Sequence, residues 1–197
     1  MFKKYGIAGT LYLAVSLLRT KFIFRRARLI RFPIDIRGKG NIQVGGGFTT
    51  GRNCRLEALP VTPGKAKLLI IGENVQLNDN VHITACESVT IGNNVLMASK
   101  VYISDVSHGS YSGVRDSSPD IPPADRLLVT KPVIIHDNVW LGDGVCVLPG
   151  VTIGYGSIIG ANAVVNKSIP SLSIAAGIPA RVIKKYNEAN KLWERVG

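Results

Sequence analysis

Lys131–Pro170, KPVIIHDNVWLGDGVCVLPGVTIGYGSIIGANAVVNKSIP, is the stretch that decides the fold. Ile135, Leu141, Val147, Ile153, Ile159 and Val165 recur at every sixth position, and a small residue often follows, as in Leu141-Gly142, Ile153-Gly154 and Ile159-Gly160. Neither a helix period of about 3.6 nor a strand period of about 2 yields a strict six. A short strand and a tight turn, repeated as a solenoid, do yield it, each rung stacking its aliphatic residue on the rung before. Upstream, Ile71, Leu77, Ile83 and Val89 keep the same step, and after a two-residue slip Ile91, Met97 and Ile103 resume it. A weaker run, Ile36, Ile42, Phe48 and Cys54, reads as an irregular first coil capping the stack. Three rungs make one coil, so 71–90, 91–108, 135–152 and 153–170 are read as coils whose strands pair in parallel about 4.8 Å apart.

The period fails between Ser104 and Lys131, where three prolines and many Ser, Asp and Gly residues replace it. Segment 104–132 is therefore an excursion loop, and one that long in a compact repeat is usually functional or disordered. Pro60–Lys67 reads as a turn or hairpin. After Pro179, Val182, Tyr186, Ala189, Trp193 and Val196 stand at helical spacing, which predicts a short C-terminal helix over 181–197.

The chain has 197 residues, enough for one well-buried domain, here 33–180 with its loop. Its net charge of +11 is concentrated: residues 1–40 carry ten Lys or Arg against Asp35 alone. Residues 1–32 run from an uncharged stretch, Tyr5–Leu18, into a basic but still apolar one, Arg19–Phe32. Fourteen uncharged residues fall short of the roughly 20 that span a bilayer as a helix. The arginine run opposes export as a signal peptide. An amphipathic helix at the membrane interface fits, with Leu, Phe and Tyr in lipid and cations at anionic head groups; packing on the solenoid or on a neighbouring subunit is the alternative. Cys54, Cys86 and Cys146 are scattered and odd in number, which argues against disulfides or a zinc site and suits a reducing cytosol. They read as small core-filling thiols.

Three stretches carry a resemblance. They are Asn74–Ile83 running into Ile91–Ala98; Ile103–Gly109 followed, after the loop, by Lys131–Gly142; and Val164–Pro170 followed by Ala175–Lys184. Together they resemble the hexapeptide-repeat acyltransferases, in particular the maltose and galactoside O-acetyltransferase group. The basic apolar head looks closer to relatives in lipopolysaccharide and exopolysaccharide biosynthesis. The resemblance implies an all-β, left-handed parallel β-helix and a homotrimer that binds acetyl-coenzyme A in grooves between subunits. The left hand comes from the resemblance alone, because general crossover rules favour the opposite one.

Moving an acetyl group from a thioester to a sugar hydroxyl needs a base that works near neutral pH, and histidine is suited to it. His108 stands where the ladder stops, followed by Gly109, and falls on the family's catalytic histidine. Asp105 either holds that imidazole in the correct tautomer or is a turn residue. Asn78 matches a family asparagine lining the acceptor site, where its amide would hold the sugar or a developing oxyanion; filling a tight turn is its other reading. His82, Leu96 and Trp140 complete the expected acceptor-side set, though His82 reads equally as a stacked wall residue. His136 reads as a turn residue, and Trp140 as groove-lining or as a rung aromatic. For coenzyme A the resemblance implies Trp140, backbone donors at Gly142, Asp143, Gly160 and Ala161, and phosphate-directed groups at Asn166, Lys167, Arg181 and Lys184.

Three competing readings fit less well. A γ-type carbonic anhydrase uses a related prism with zinc on three histidines, but the three here are 26 and 28 residues apart, and no metal is expected. A non-catalytic scaffold predicts no role for His108. Nucleic-acid binding by the head lacks a groove-reading motif. The expectation is an acetyl-coenzyme A-dependent O-acetyltransferase, cytoplasmic and peripheral to the inner membrane. Its acceptor is a sugar hydroxyl of a lipid-linked glycan, with a soluble sugar or nucleotide amino sugar as runner-up.

Overall fold

A computed structural model describes every residue except Met1, Pro63, Lys65, Ala66, Val114, Arg115 and Gly197. The side chains of Phe2–Tyr5 also lie outside it, and with them the expected head-group contacts of Lys3 and Lys4. The expected Pro60–Lys67 turn falls partly on undescribed residues.

The repeat folds into three parallel sheets, one per side of a prism. Face 1 stacks Ile34–Arg37, Cys54–Ala58, His82–Ala85, Tyr102–Ser104, Cys146–Val147 and Val164–Val165. Face 2 stacks Ile42–Val44, Leu69–Ile71, Val89–Ile91, Val133–Ile135 and Thr152–Ile153. Face 3 stacks Gln76–Leu77, Leu96–Met97, Trp140–Leu141, Ile158–Ile159 and Ser173–Ala176. Six strands on one face give a stack roughly 24 Å tall at about 4.8 Å per step.

The six-step ladder is only half of the core. Two residues before most ladder residues a second aliphatic one also points inward, while before Ile159 that place is taken by the buried Ser157. Val75, Val81, Val95, Val101, Val139, Val145, Val151 and Ala163 are as buried as Leu77, Ile83, Met97, Ile103, Leu141, Val147, Ile153 and Val165. The residue between them faces outward, as period-2 strands require. Each buried aliphatic side chain contributes about 1.5–3 kcal/mol relative to exposure, so the doubled ladder anchors the stack. Glycine follows the ladder where coils touch: a Cβ on Gly142 would sit 2.7 Å from the Ala161 nitrogen of the next coil.

Three of the ladder's interruptions fall at one corner, between faces 1 and 2. Leu56 to Ile71, Ile83 to Ile91 and Ile103 to Ile135 all cross it, and each pair spans more than six residues. The two-residue slip is the Cys86–Ser88 turn, and the long loop leaves from the same edge one coil further on. That loop is not structureless. Val106–His108 pairs antiparallel with Leu128–Thr130, and Pro123–Asp125 forms a 3-10 turn.

Two expected boundaries are corrected. The tail is not a helix. Arg181–Asn187 adds antiparallel to Ser173–Ala176, and Leu192–Arg195 pairs back on it, with Tyr186 and Trp193 in ring contact at 5.2 Å. The stack would otherwise end on unpaired backbone N–H and C=O groups, and the β-branched and aromatic Val182, Ile183 and Tyr186 suit a covering strand. The head is helical only over α1, Phe2–Ile23, interrupted at Gly6 (φ 66°). The chain then joins the prism before residue 33: Leu29 bridges Thr49, and Ala27 and Ile30 lie fully inside the core.

The helix is turned opposite to a usual surface helix. Leu13, Ser16 and Thr20 face the prism, where the Thr20 hydroxyl accepts the Ile30 N–H at 2.8 Å and Tyr12 bonds both backbone groups of Phe32. Tyr12 therefore points to protein, not to lipid as expected. Ile7, Leu11, Val15, Leu18 and Phe22 form an outward stripe, with Ile7, Leu11, Leu18 and Phe22 between 65% and 85% exposed. Gly6–Ile23 is also long and apolar enough to cross a membrane by length and composition.

Candidate active site

His108 ends the strand Val106–His108 on the loop and is exposed. Three contacts fix it. Its backbone pairs with Leu128, its carbonyl accepts the Tyr111 hydroxyl at 2.7 Å, and its Nδ1 lies 3.2 Å from the Pro123 carbonyl. A carbonyl only accepts, so Nδ1 carries a proton, and in the neutral ring Nε2 is the nitrogen with the lone pair. Arg126 braces this arrangement by donating to Tyr111 Oη at 2.6 Å and to the Ile121 carbonyl at 2.9 Å. Gly109 (φ 101°) is required: a Cβ there would lie 2.7 Å from both the Ser117 hydroxyl and Tyr111 Oη. Nothing in the sequence marks Pro123, Tyr111 and Arg126, because a main-chain acceptor 15 residues away leaves no motif.

Asp105 does not orient the imidazole. It is fully buried, and its carboxylate accepts the N–H groups of Cys86, Glu87 and Ser88 at 2.8, 2.7 and 2.7 Å. It is the turn residue of the two alternatives, closing the long corner turn at the root of the loop. Asp105→Asn should therefore destabilise the fold by about 1–3 kcal/mol, since it weakens charge-assisted bonds to buried amides. Turnover should fall only as far as the folded fraction does, with the wild-type shape of its pH profile. A changed profile at full stability would restore a direct role.

His82 also leaves the expected set. It faces outward on face 1, where Nε2 lies 2.9 Å from Glu57 and 3.0 Å from the Thr84 hydroxyl, and its ring meets Tyr102 edge-on. Glu57, nearly buried, also accepts Arg55 at 2.7 Å and Arg37 at 3.2 Å. Burial alone would raise the Glu57 carboxyl, but His82, Arg55 and Thr84 outweigh it and hold its pKa below 4.5. A lowered carboxyl pKa stabilises the fold above the unfolded value, and that contribution disappears as pH falls through the folded one. Glu57→Gln should thus cost about 1–3 kcal/mol at pH 7. In acid melts the gap to wild type should begin to narrow below about pH 4.5 and close once the pH has fallen past the lowered folded value. A gap that persists there would show that packing, not charge, is at stake.

Asn78 stands at the corner between faces 3 and 1, and its amide has no hydrogen-bond partner among the described residues. It lines a cavity of about 400 Å³ with Gln76, Thr49 and Ser99. Leu96 and Trp140 are register partners on face 3, both exposed, so the structure does bring this pair together. Ile174 and Lys184 continue the same sheet, and Arg181 pairs with Ala176 beside it. Of the four expected backbone donors, two are spent: Gly142 N–H donates to Ile159 and Gly160 N–H to Ala175. The Asp143 carboxylate accepts Ser99 N–H, while the N–H groups of Asp143 and Ala161 make no hydrogen bond among the described residues. Asn166 and Lys167 fall at the other corner, between faces 1 and 2. There Asn166 lines a groove of about 430 Å³ under the loop with Ser107, Tyr111 and Lys131.

The expected site residues therefore fall into two separate groups on one chain. His108, Asn166 and Lys167 stand at the loop corner; Asn78, Leu96, Trp140, Ala161, Arg181 and Lys184 stand on face 3 and its far edge. His82, His108 and His136 do not converge, and among the described residues no His, Cys, Asp or Glu group is placed to hold a metal ion. Burial raises the thiols of Cys54 and Cys86 to about 11 and also raises Cys146, so none is a ready nucleophile. Only Cys54 fills the core; Cys146 is partly exposed, on the outward side of face 1.

A parallel β-helix with an exposed histidine on an excursion loop is the frame of an acyl-transfer scaffold. Residues 132–167 match the family described as Bacterial transferase hexapeptide (six repeats). Over 98% of its length the chain is 47% identical to the "Putative lipopolysaccharide biosynthesis O-acetyl transferase WbbJ" of Escherichia coli (strain K12), covering 96% of that protein. Over 73% of its length it is 38% identical to the galactoside O-acetyltransferase of the same organism, covering 66% of it. Among solved structures, a variant of the N-acyltransferase AntD from Bacillus cereus, in complex with dTDP-4-amino-4,6-dideoxyglucose and coenzyme A, superimposes with a TM-score of 0.69. It shares 22% identity, over 88% of this chain and 90% of that one. The chain belongs to the hexapeptide-repeat acyltransferases, and its fold is their left-handed parallel β-helix.

Proposed function

We propose that this protein transfers the acetyl group of acetyl-coenzyme A to a hydroxyl of a lipid-linked sugar in lipopolysaccharide O-antigen or related surface polysaccharide synthesis, on the cytoplasmic side of the membrane. The observation that carries the proposal is the His108 Nδ1–Pro123 contact, which leaves Nε2 free to take a proton. In the reaction Nε2 removes the acceptor hydroxyl proton as that oxygen attacks the thioester carbonyl carbon. The C–S bond then breaks, and the imidazolium returns the proton to the coenzyme A sulfur. The elevated thiol pKa values favour this direct attack over an acyl-enzyme.

The two groups of site residues lie at different corners of one prism, so a complete site needs a second copy. A cyclic trimer, in which the loop corner of one protomer faces the Asn78 corner of the next, supplies one site per interface. The free N–H groups of Asp143 and Ala161 suit the pantetheine amides, while Arg181, Lys184 and Lys167 suit the coenzyme A phosphates. The test is incubation of the purified protein with labelled acetyl-coenzyme A and a panel of lipid-linked and free glycans, with products mapped by mass. Transfer to a lipid-linked sugar supports the proposal, and exclusive transfer to free or nucleotide-linked amino sugars overturns its acceptor.

A further inference from the structure

The cavity beside Asn78 is more basic than a neutral sugar requires. Arg28 and Arg31 both line it, with Asn78, Gln76, Thr49 and Ser99. A second cavity of about 270 Å³ adjoins it through Arg31 and adds Arg52, Tyr12 and Gly9 of α1. The one acid in either wall is Asp79, and its Oδ1 is held by the Arg52 N–H at 2.7 Å. Arg31 is braced, its Nη1 donating to the Thr50 carbonyl at 2.9 Å, with the rest of the guanidinium left to the cavity. Arg52 stacks over the Tyr12 ring at 4.3 Å. The Arg28 side chain makes no hydrogen bond or ion pair among the described residues, although its backbone is fixed to Phe48. Three guanidinium groups against one carboxylate, next to an unpartnered amide, form a receptor for a multiply charged anion attached to something polar and uncharged.

We infer that the acceptor sugar carries a diphosphate, bound by Arg28 and Arg31 while Asn78 holds the sugar. This deepens the proposed function and rests on its assignment of the Asn78 corner to the acceptor. A sugar diphosphate ester comes either from an isoprenoid lipid or from a nucleotide. The position of α1 favours the lipid: its inner side lines the second cavity, and its outer side carries the apolar stripe. A chain leaving the diphosphate past Tyr12 and Gly9 would emerge beside Ile7 and Leu11.

The test is calorimetric titration of the full-length protein with inorganic diphosphate, uridine diphosphate and farnesyl diphosphate, for wild type, Arg28→Gln and Arg28→Gln/Arg31→Lys. Arg28 is exposed and without a side-chain partner, so its replacement should leave the fold intact; Arg195→Gln serves as a remote charge control. Loss of Arg28 should weaken all three probes about tenfold, and the double variant should weaken them further. Tighter binding of farnesyl than of uridine diphosphate identifies the lipid source; the reverse identifies the nucleotide source, and either supports the diphosphate site. Equal affinities in wild type and variants overturn it. So does competition of inorganic diphosphate with acetyl-coenzyme A, which would place the anion in the donor groove. His108→Ala should bind the probes as wild type does. If that variant also transferred acetyl normally, the catalytic reading would fall while the diphosphate site stood.

Discussion

Replacing His108 with Ala is expected to lower acetyl transfer by about 10²- to 10⁴-fold, the usual worth of a positioned general base. The KM for acetyl-coenzyme A should change little, because the imidazole is exposed on the loop and, among the described residues, its ring bonds the protein's own Pro123 carbonyl. His108→Asn should fail almost as badly: an amide can donate to that carbonyl but cannot accept a proton at neutral pH. Steady-state kinetics on correctly assembled protein decide the matter. Undiminished kcat in His108→Ala would remove the mechanism. Arg126→Ala supplies a graded companion, since it frees Tyr111 and loosens the loop without touching the imidazole. It should lower kcat less than His108→Ala does and leave the chemistry of the residual reaction unchanged.

The second large effect lies on the outer stripe of α1. A triple change of Leu11, Leu18 and Phe22 to Asp is expected to reduce binding to anionic vesicles by at least about 100-fold, because each buried apolar side chain contributes roughly 1.5–3 kcal/mol. Arg25 and Arg26, exposed just beyond the helix, supply an electrostatic share that high salt should remove. Co-sedimentation measures the loss, and size-exclusion with light scattering checks the alternative. If the triple variant stays on vesicles but falls apart into monomers, the stripe is a subunit contact and not a lipid one. Deleting residues 1–32 would be the poorer experiment. It removes Phe24, Ala27 and Ile30 from the core, so loss of membrane binding could not be told from loss of the first coil.

Where the structure departs from sequence expectation, the cause lies in contacts between distant residues. Val182, Tyr186, Ala189, Trp193 and Val196 have helical spacing, yet the open edge of face 3 offers backbone partners that no local period encodes. Asp105 lies three residues from His108 in sequence, but the strand carries the histidine out of the wall while the carboxylate turns inward to three amides. His82 sits at an outward rung position, as its place before Ile83 implied. Its partner Glu57 comes from the neighbouring coil, 25 residues away. Gly142 and Gly160 marked the corners correctly, but the same close approach that demands glycine also spends their N–H groups on the next coil.

What the amino-acid order settled without help is the prism. A six-residue period is a local property, fixed by strand length and turn length, and it survives in Ile135 through Val165 whatever surrounds it. The same order located the one long departure from the period and the histidine at its root. Tertiary structure alone decided the rest: the Pro123 carbonyl beside the His108 ring, the separation of the expected site residues onto different corners, the outward turn of the apolar helix stripe and the shared cavity of Arg28, Arg31 and Asn78. The His108–Pro123 contact closes within the excursion loop and the others join residues from different coils or from the head, and none of them leaves a periodic trace in the chain.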